Sequence, residues 1–191
     1  MGVHLDLPAW MKGHLASLPD RSPDPARRMA LILDLARRNF QEDTGGPFAA
    51  GVFRLDDGAL VAAGVNRVVA SGCSSAHAEV MALALAQRRL GTYDLGGPGL
   101  PGHELVVNWR PCAMCYGALL WSGVRHLTIA GSGPELEELT GFDEGPVHPD
   151  WAGQLALRGI TVQEGVLREE AVALFREFRA SARVVYNARK G

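Results

Sequence analysis

The chain has 191 residues, of which 47% are hydrophobic and 21% are charged, and its formal net charge is −2. This length and composition predict one globular domain with a hydrophobic core, and the weak net charge argues against a protein built mainly to hold nucleic acid. No apolar run is long enough to span a membrane, the N-terminus has no signal-peptide pattern, and there are only three cysteines, so we expect a cytoplasmic protein.

An N-terminal extension, residues 1–25, precedes the first predicted helix. Its prolines and its apolar residues Leu5, Leu7, Trp10 and Met11 predict a strap packed on the core rather than a functional arm. The chain then predicts a helix and a β-hairpin, namely helix 26–41, strand 48–55, a turn at Asp56-Asp57-Gly58 and strand 59–66.

The rest of the chain predicts alternating helices and strands. In order they are helix 79–89, strand 104–108, helix 112–121, strand 126–130, short helices at 134–139 and 149–157, strand 160–162 and helix 167–179. A strand–helix–strand unit crosses over right-handed and makes its strands parallel. We therefore predict a three-layer α/β/α domain over residues 26–180, with a mixed sheet of about five strands, and a C-terminal tail over residues 181–191.

Two of these helices begin with residues that can bind a metal. His77-Ala78-Glu79 starts one helix, and Pro111-Cys112-Ala113-Met114-Cys115 starts the other. Both helices begin outside the carboxyl ends of the strands, so His77, Cys112 and Cys115 should converge there. One imidazole and two thiolates are ligands that zinc prefers, and three protein ligands leave one position for water. Glu79 can act as general base on that water, and the whole pattern is typical of zinc nucleobase deaminases.

Other uses of a C-x-x-C pair fit these residues less well. A structural site of four cysteines is impossible, because the chain has only three. A site of three cysteines and one histidine would need Cys73, which we expect to be a small buried residue. A thioredoxin-like pair would explain neither His77 nor Glu79. The pattern therefore favours catalytic zinc.

At these motifs the chain resembles the cytidine deaminase-like superfamily and, within it, the guanine deaminases, from residue 26 to residue 190. The resemblance implies zinc-dependent hydrolysis of a free amino-purine base, first of all guanine to xanthine and ammonia, and it extends to related triazines such as ammeline. In such a reaction Glu79 takes a proton from water and passes it to ring N3 while C2 is attacked. Glu79 or Glu144 then protonates the departing amine.

The resemblance also implies contacts to the base. Asn66 stands where these families keep an asparagine that hydrogen-bonds the base, the backbone near Phe48 would orient the ring, and Trp121 would stack on it. Asp143 and Glu144 belong to a loop whose second acid contacts the substrate. Each has an alternative role: Asn66 as a strand cap, Trp121 as core filling, and the two acids as an ordinary turn.

The tail resembles a segment that, in guanine deaminases, crosses to the partner subunit and covers its active site. The resemblance therefore implies a domain-swapped homodimer whose activity depends on Tyr186. The alternative for Tyr186 is a residue that only packs the tail against the core.

Arg110 departs from the family pattern, which has glutamate before Pro-Cys. Its place just before a helix favours a side chain that points away from the metal. Two other functions stay open. A tRNA adenosine deaminase would need a basic groove and space for a flipped nucleotide, and the weak net charge and Trp121 count against it. A zinc-binding homologue without activity is favoured only by Arg110, and Glu79 argues against it.

Overall fold

The structure is a computed structural model that describes residue 4 and residues 6–17 and 21–187. Its helices are α1 (Ala9–Ala16), α2 (Pro25–Gln41), α3 (Val68–Ser71), α4 (Ala78–Leu90), α5 (Ala113–Trp121), α6 (Glu135–Thr140), α7 (Trp151–Ala156) and α8 (Arg168–Ala180). Its strands are β1 (Ala49–Arg54), β2 (Leu60–Val65), β3 (His103–Val107), β4 (His126–Ile129) and β5 (Thr161–Gln163). Of these, α1 and α3 were not predicted; the other boundaries lie within two residues of the predicted ones, which is the usual uncertainty at element ends.

The five strands form one mixed sheet in the order β2-β1-β3-β4-β5. Strand β1 is antiparallel to both β2 and β3, whereas β3, β4 and β5 are mutually parallel. Strands β2 and β3 therefore run in the same direction, as the crossover rule predicts, although β1 lies between them. As a result, the carboxyl ends of β2 and β3 open at the same edge of the sheet.

Helices cover both faces of the sheet, which confirms the three-layer α/β/α prediction. Residues alternate between the two faces along each strand: Val106 joins the core under α2 and α8, whereas Leu105 and Val107 join the core under α4, α5 and α7. The predicted hairpin turn is also present, with Gly58 at φ +70° and the Asp57 carboxylate accepting a hydrogen bond from the Ala59 N–H over 3.0 Å.

The N-terminal extension contains a helix that packs on the core. Met11 in α1 is fully buried, and Trp10 is partly buried against the same core. The helix begins after Pro8 without a side-chain cap, and Leu5 lies outside the described residues. The division of the chain near residues 25 and 180 stays a prediction. No helix in the described ranges is both long and apolar enough to cross a bilayer.

Candidate active site

The sheet brings the starts of α4 and α5 together. Helix α5 follows β3 after a short loop, and the chain before α4 returns to the end of β2, where the Arg67 N–H donates to the Ala76 carbonyl over 2.8 Å. Helix α4 lies directly on β2 at Gly64, where a Cβ atom would come within 2.5 Å of the Ala78 carbonyl oxygen. Only glycine allows this approach, which carries His77 to the edge of the sheet.

His77, Cys112 and Cys115 form the predicted metal-binding group. Their ligand atoms all lie within 4.8 Å of one another, and His77 Nδ1 is 3.5 Å from Cys112 Sγ. Ligands at ordinary zinc distances in a tetrahedron stand roughly 3.5–3.8 Å apart, so the donor set and its spacing fit zinc. His77 and Cys112 are the N-caps of α4 and α5, and neither side chain caps its helix, so both are available to a metal.

The electrostatics of the triad favour a bound cation. Hydrogen bonding from Cys115 lowers the pKa of the Cys112 thiol to about 4, and His77 adds to this effect. The pKa of Cys115 rises well above its usual value, because it shares that hydrogen bond with Cys112 and is buried. Burial lowers the pKa of His77, but the Cys112 thiolate and Glu79 outweigh burial and leave it raised. Because a metal binds thiolates and neutral imidazole, the Cys115 thiol and a protonated His77 would release their protons when the metal binds.

Glu79 is a buried carboxyl beside the triad. Its side chain is almost fully shielded from solvent in the first turn of α4. Burial raises the pKa of Glu79, and the negative charge of Cys112 raises it further. A carboxyl whose pKa is raised accepts a proton more readily than an exposed one, as a general base must.

A cavity of about 380 Å³ opens over His77, Cys112 and Glu79. Aromatic rings form part of its wall: the Phe142 ring centroid lies 5.1 Å from that of Phe48 and 5.2 Å from that of Tyr186. Phe48 N–H already donates to the Gly46 carbonyl over 2.9 Å. Phe48 lines the cavity. The prediction from the sequence was that the backbone near Phe48 orients the base.

Asn66 lies behind Tyr186 at the end of β2. Its Oδ1 atom accepts from the backbone N–H groups of Gly46 and Val68, both at 3.4 Å, and its Nδ2 group donates to the Tyr186 hydroxyl. The donor group of the amide is thereby turned towards Tyr186, which lines the cavity, whereas Asn66 itself does not line it. The Tyr186 ring also stands over the metal-binding group, 6.3 Å from the His77 ring.

The tail therefore covers the cavity of its own chain. The expected crossing to a partner subunit stays a prediction. Asn187 fixes the end of the tail, since its Oδ1 accepts from the Asp143 N–H and its Nδ2 donates to the Gly141 carbonyl, each over 2.9 Å. Asp143 lines the cavity mouth, and its carboxylate accepts from the Gly145 N–H over 3.0 Å.

Glu144 is the second carboxyl of the cavity. Burial raises its pKa to about 9, and the charges of Cys112, Glu79 and Glu137 act in the same direction, while Arg110 opposes them. The Glu144 backbone is held on both sides: its N–H donates to Glu137 Oε1 over 3.2 Å, and its carbonyl accepts from the Ala113 N–H over 2.9 Å. Besides Asp143 at its mouth, the site thus contains one carboxyl beside the triad and a second, Glu144, whose raised pKa favours the protonated form.

Two expectations about individual side chains are wrong within this chain. Trp121 ends α5, nine residues and roughly 13 Å along the helix axis from Cys112; it is 87% exposed and does not line the cavity. Cys73 is only half-buried, with its sulfur 3.2 Å from the Ser75 hydroxyl, and it lies outside the metal-binding group.

Arg110 also differs from expectation, because it lines the cavity instead of pointing away from it. Its Nε atom is buried without a hydrogen-bond partner in the described structure. The neighbouring Trp109 is fixed by a hydrogen bond from its Nε1 to the Gly133 carbonyl over 3.1 Å and by the Phe175 ring at 5.2 Å. A guanidinium therefore faces the cavity beside Glu144.

Sequence reasoning missed some residues that shape the site. The sequence pattern assigned no role to Phe142 or to Asn187. Asn39 was not noticed at all, although it left a signal: it continues the apolar side of α2 in helical register with Leu35 and Ala36. A polar residue on a buried helix face needs partners, and those of Asn39 reach Asn66.

Residues 24–130 match the family described as the cytidine and deoxycytidylate deaminase zinc-binding region. The chain belongs to this family, and it is a hydrolytic deaminase. It is 34% identical to a guanine deaminase from Bacillus subtilis over 116 residues, which cover 61% of this chain and 69% of that protein. It is also 28% identical to a tRNA-specific adenosine deaminase from Buchnera aphidicola over 99 residues, covering 52% of this chain and 62% of that one.

Similarity to solved structures extends along nearly the whole chain. A structure of guanine deaminase from Nitrosomonas europaea is 49% identical, covers 94% of this chain and 97% of its own, and has a TM-score of 0.88. The protein NE0047 in complex with 2,6-diaminopurine is 50% identical, covers 97% of both chains and has a TM-score of 0.89. A mutant of NE0047 has been crystallised with 8-azaguanine.

Proposed function

We propose that this deaminase acts on a free amino-purine base, first of all guanine, and converts it with water to xanthine and ammonia. The observation that carries the proposal is the cavity itself. His77 and Cys112 of the metal-binding group, Glu79 and Glu144 line one space with aromatic rings in its wall, which supports the proposal. A flat base fits between such rings, and the similar proteins described above act on guanine or bind purine analogues.

The triad would hold zinc, since its donor set and spacing fit that ion. When bound, zinc supplies a lowered pKa to a coordinated water near the reacting carbon. The protein side chains do the remaining work. Glu79 would accept a proton from the attacking water and deliver it to ring N3, because it is the buried carboxyl nearest the triad.

Glu144 supports the last proton transfer. Its raised pKa keeps it protonated at neutral pH, so it can donate to the amine that leaves C2; Glu79 can make the same transfer after it has been reprotonated. The Asn66 Nδ2 group would donate to the base once the Tyr186 hydroxyl gives way, and Phe48 would contact the ring face. Asp143 would contact the base or water at the mouth of the cavity.

A panel of substrates tests the proposed activity. Purified protein with a measured zinc content would be assayed for ammonia release from guanine, 2,6-diaminopurine, ammeline, adenine, cytosine and an adenosine-containing tRNA anticodon stem-loop. We expect guanine to have the highest kcat/KM, with weaker turnover of ammeline. Preferred deamination of the stem-loop would support the tRNA alternative, and zinc-loaded protein without turnover of any compound would support the non-catalytic one.

We also propose a homodimer in the cytoplasm. Helix α5 exposes Met114 and Trp121, with the half-buried Gly117 and Ala118 between them, and these small residues allow a second copy to approach closely. Cys73, Cys112 and Cys115 are all unpaired, which supports a reducing compartment. Exchange of tails between two copies stays a prediction. Trp121→Lys should weaken the dimer in sedimentation measurements, and an unchanged sedimentation coefficient would move the interface elsewhere.

A further inference from the structure

We propose that helix α1 and Asn39 position Asn66 for base binding, so that the N-terminal extension sets the affinity of the deaminase for its base. The inference rests on the proposed function, in which Asn66 donates a hydrogen bond to the base. It goes beyond that function, because neither α1 nor Asn39 touches the cavity. Both would act through Asn66 and are positioning elements rather than catalytic ones.

Asn39 is the centre of a buried hydrogen-bond relay. Its Nδ2 group donates to the carbonyl oxygens of Asn66 and Gly46, each over 2.9 Å, and its Oδ1 accepts from the Thr44 hydroxyl over 2.8 Å. Asn39 is fully buried. Both amide protons and the amide oxygen are therefore used, and the side chain joins the end of β2 to the loop before β1.

Helix α1 holds the other end of this relay. Trp10 Nε1 donates to the Thr44 hydroxyl over 3.1 Å, so the hydroxyl connects α1 to Asn39. Arg38 lies over the Trp10 ring, 4.7 Å from its centroid, and keeps the indole in place. A second link passes through Arg67, whose guanidinium donates to the Asp6 carbonyl over 3.1 Å and to the Thr44 carbonyl.

The loop before β1 packs tightly against Asn66. At Gly45 a Cβ atom would come within 1.8 Å of the Asn66 carbonyl oxygen and 2.6 Å of Asn39 Nδ2. The loop can therefore lie against Asn66 only because residue 45 has no side chain. The Gly46 N–H then donates to Asn66 Oδ1, which turns the donor group of the amide towards Tyr186 in the cavity wall.

In this geometry the residues that position the base donor are separate from the residues that would transfer protons. The relay ends on the backbone of Asn66 and on the loop before β1, whereas Glu79 and the metal-binding group belong to α4 and α5. Loosening the relay should misplace the Asn66 donor group, which costs base affinity, and should leave proton transfer by Glu79 intact.

Thr44→Val tests the relay, because it removes the hydroxyl and keeps the shape of the side chain. We expect KM for guanine and Kd for 8-azaguanine to rise about fivefold, the effect of losing roughly one neutral hydrogen bond, with kcat within about twofold of the parent. Trp10→Phe removes only the distant donor and should raise KM in the same direction. Thr92→Val is the control for loss of a threonine hydroxyl, since the Thr92 hydroxyl bonds to the Asp94 backbone beyond the far end of α4; its KM should not change.

A double-mutant cycle with Asn66→Ala distinguishes positioning from general loosening. If the relay acts through the Asn66 side chain, Thr44→Val should raise the Kd for 8-azaguanine in the parent protein and leave it unchanged in the Asn66→Ala background. An equal rise in both backgrounds, an unchanged Kd in Thr44→Val, or a loss of kcat at constant KM would overturn the inference. If Asn66→Ala alone binds the base normally, Asn66 is not a base ligand, and that part of the proposed function falls together with the relay.

Discussion

The Nδ2 group of Asn66 donates its hydrogen bond to the hydroxyl of Tyr186. The proposed base needs the same donor, so base and hydroxyl compete for it. Tyr186→Phe removes the competitor and keeps the ring that covers the metal-binding group. We therefore expect a Kd for 8-azaguanine about threefold to tenfold lower than that of the parent, the gain from one displaced hydrogen bond. Isothermal titration would measure it, and weaker binding would show that the hydroxyl contacts the base itself.

Removal of the whole tail should have the opposite effect. Truncation after Ala182 takes away the Tyr186 ring and the two hydrogen bonds of Asn187, which leaves the cavity open to water. Zinc content should stay the same, because all three ligands lie far upstream, while kcat for guanine should fall by at least about tenfold. Steady-state assays beside metal analysis check this. Full turnover in the truncated protein would leave the tail with a packing role only.

Glu79→Gln tests whether Glu79 is the residue that transfers protons. The amide keeps the size of the side chain but cannot exchange protons, so kcat should fall by about 10²–10⁴-fold or more. Zinc content and melting temperature should remain near those of the parent. A variant with near-normal turnover would transfer the shuttle role elsewhere, and Glu144 is the first candidate.

The pH profile should report the state of Glu144. As a proton donor it must be protonated, so turnover is present below its pKa and is lost as pH rises through that value. Arg110 lowers this pKa. Arg110→Gln removes the positive charge, and the basic limb of the kcat profile should therefore move to higher pH.

Arg110→Lys is the matched control, since it keeps the positive charge. The basic limb of its kcat profile should therefore stay at the pH of the parent. If the basic limb of the kcat profile does not move in Arg110→Gln, protonation of Glu144 does not control that limb. The ranking of guanine against ammeline should change as well in Arg110→Glu, because the side chain lines the cavity.

Local signals predicted much of this structure. The His77-Ala78-Glu79 and Pro111-Cys112 motifs stand at helix starts, and the crossover rule sends both helices to the same sheet edge, so the metal-binding group followed from spacing and topology. Helix α2 was equally clear from its periodicity and from Pro25 at its start. The structure adds an N-cap, since the Asp24 carboxylate accepts from the Ala26 N–H over 3.0 Å.

Features that depend on tertiary contacts were missed. Helix α1 is eight residues long and includes Gly13, so its propensity is weak and its stability comes from the burial of Met11. Whether Arg110 lines the cavity and whether Trp121 is covered depend on which elements pack beside them. None of these can be obtained from residue spacing, because each depends on neighbours distant in the chain.

The position of β1 between β2 and β3 has a kinetic consequence. His77 and Cys112, 35 residues apart, can meet only after the β1–β2 hairpin has docked on β3, so the metal site should form late in folding. Zinc would then stabilise mainly the native state, slowing unfolding and leaving refolding almost unchanged. Stopped-flow measurements with and without chelator test this, and an equal effect on both rates would contradict it. Metal retention would thus govern how long a folded molecule persists rather than how quickly a new one forms.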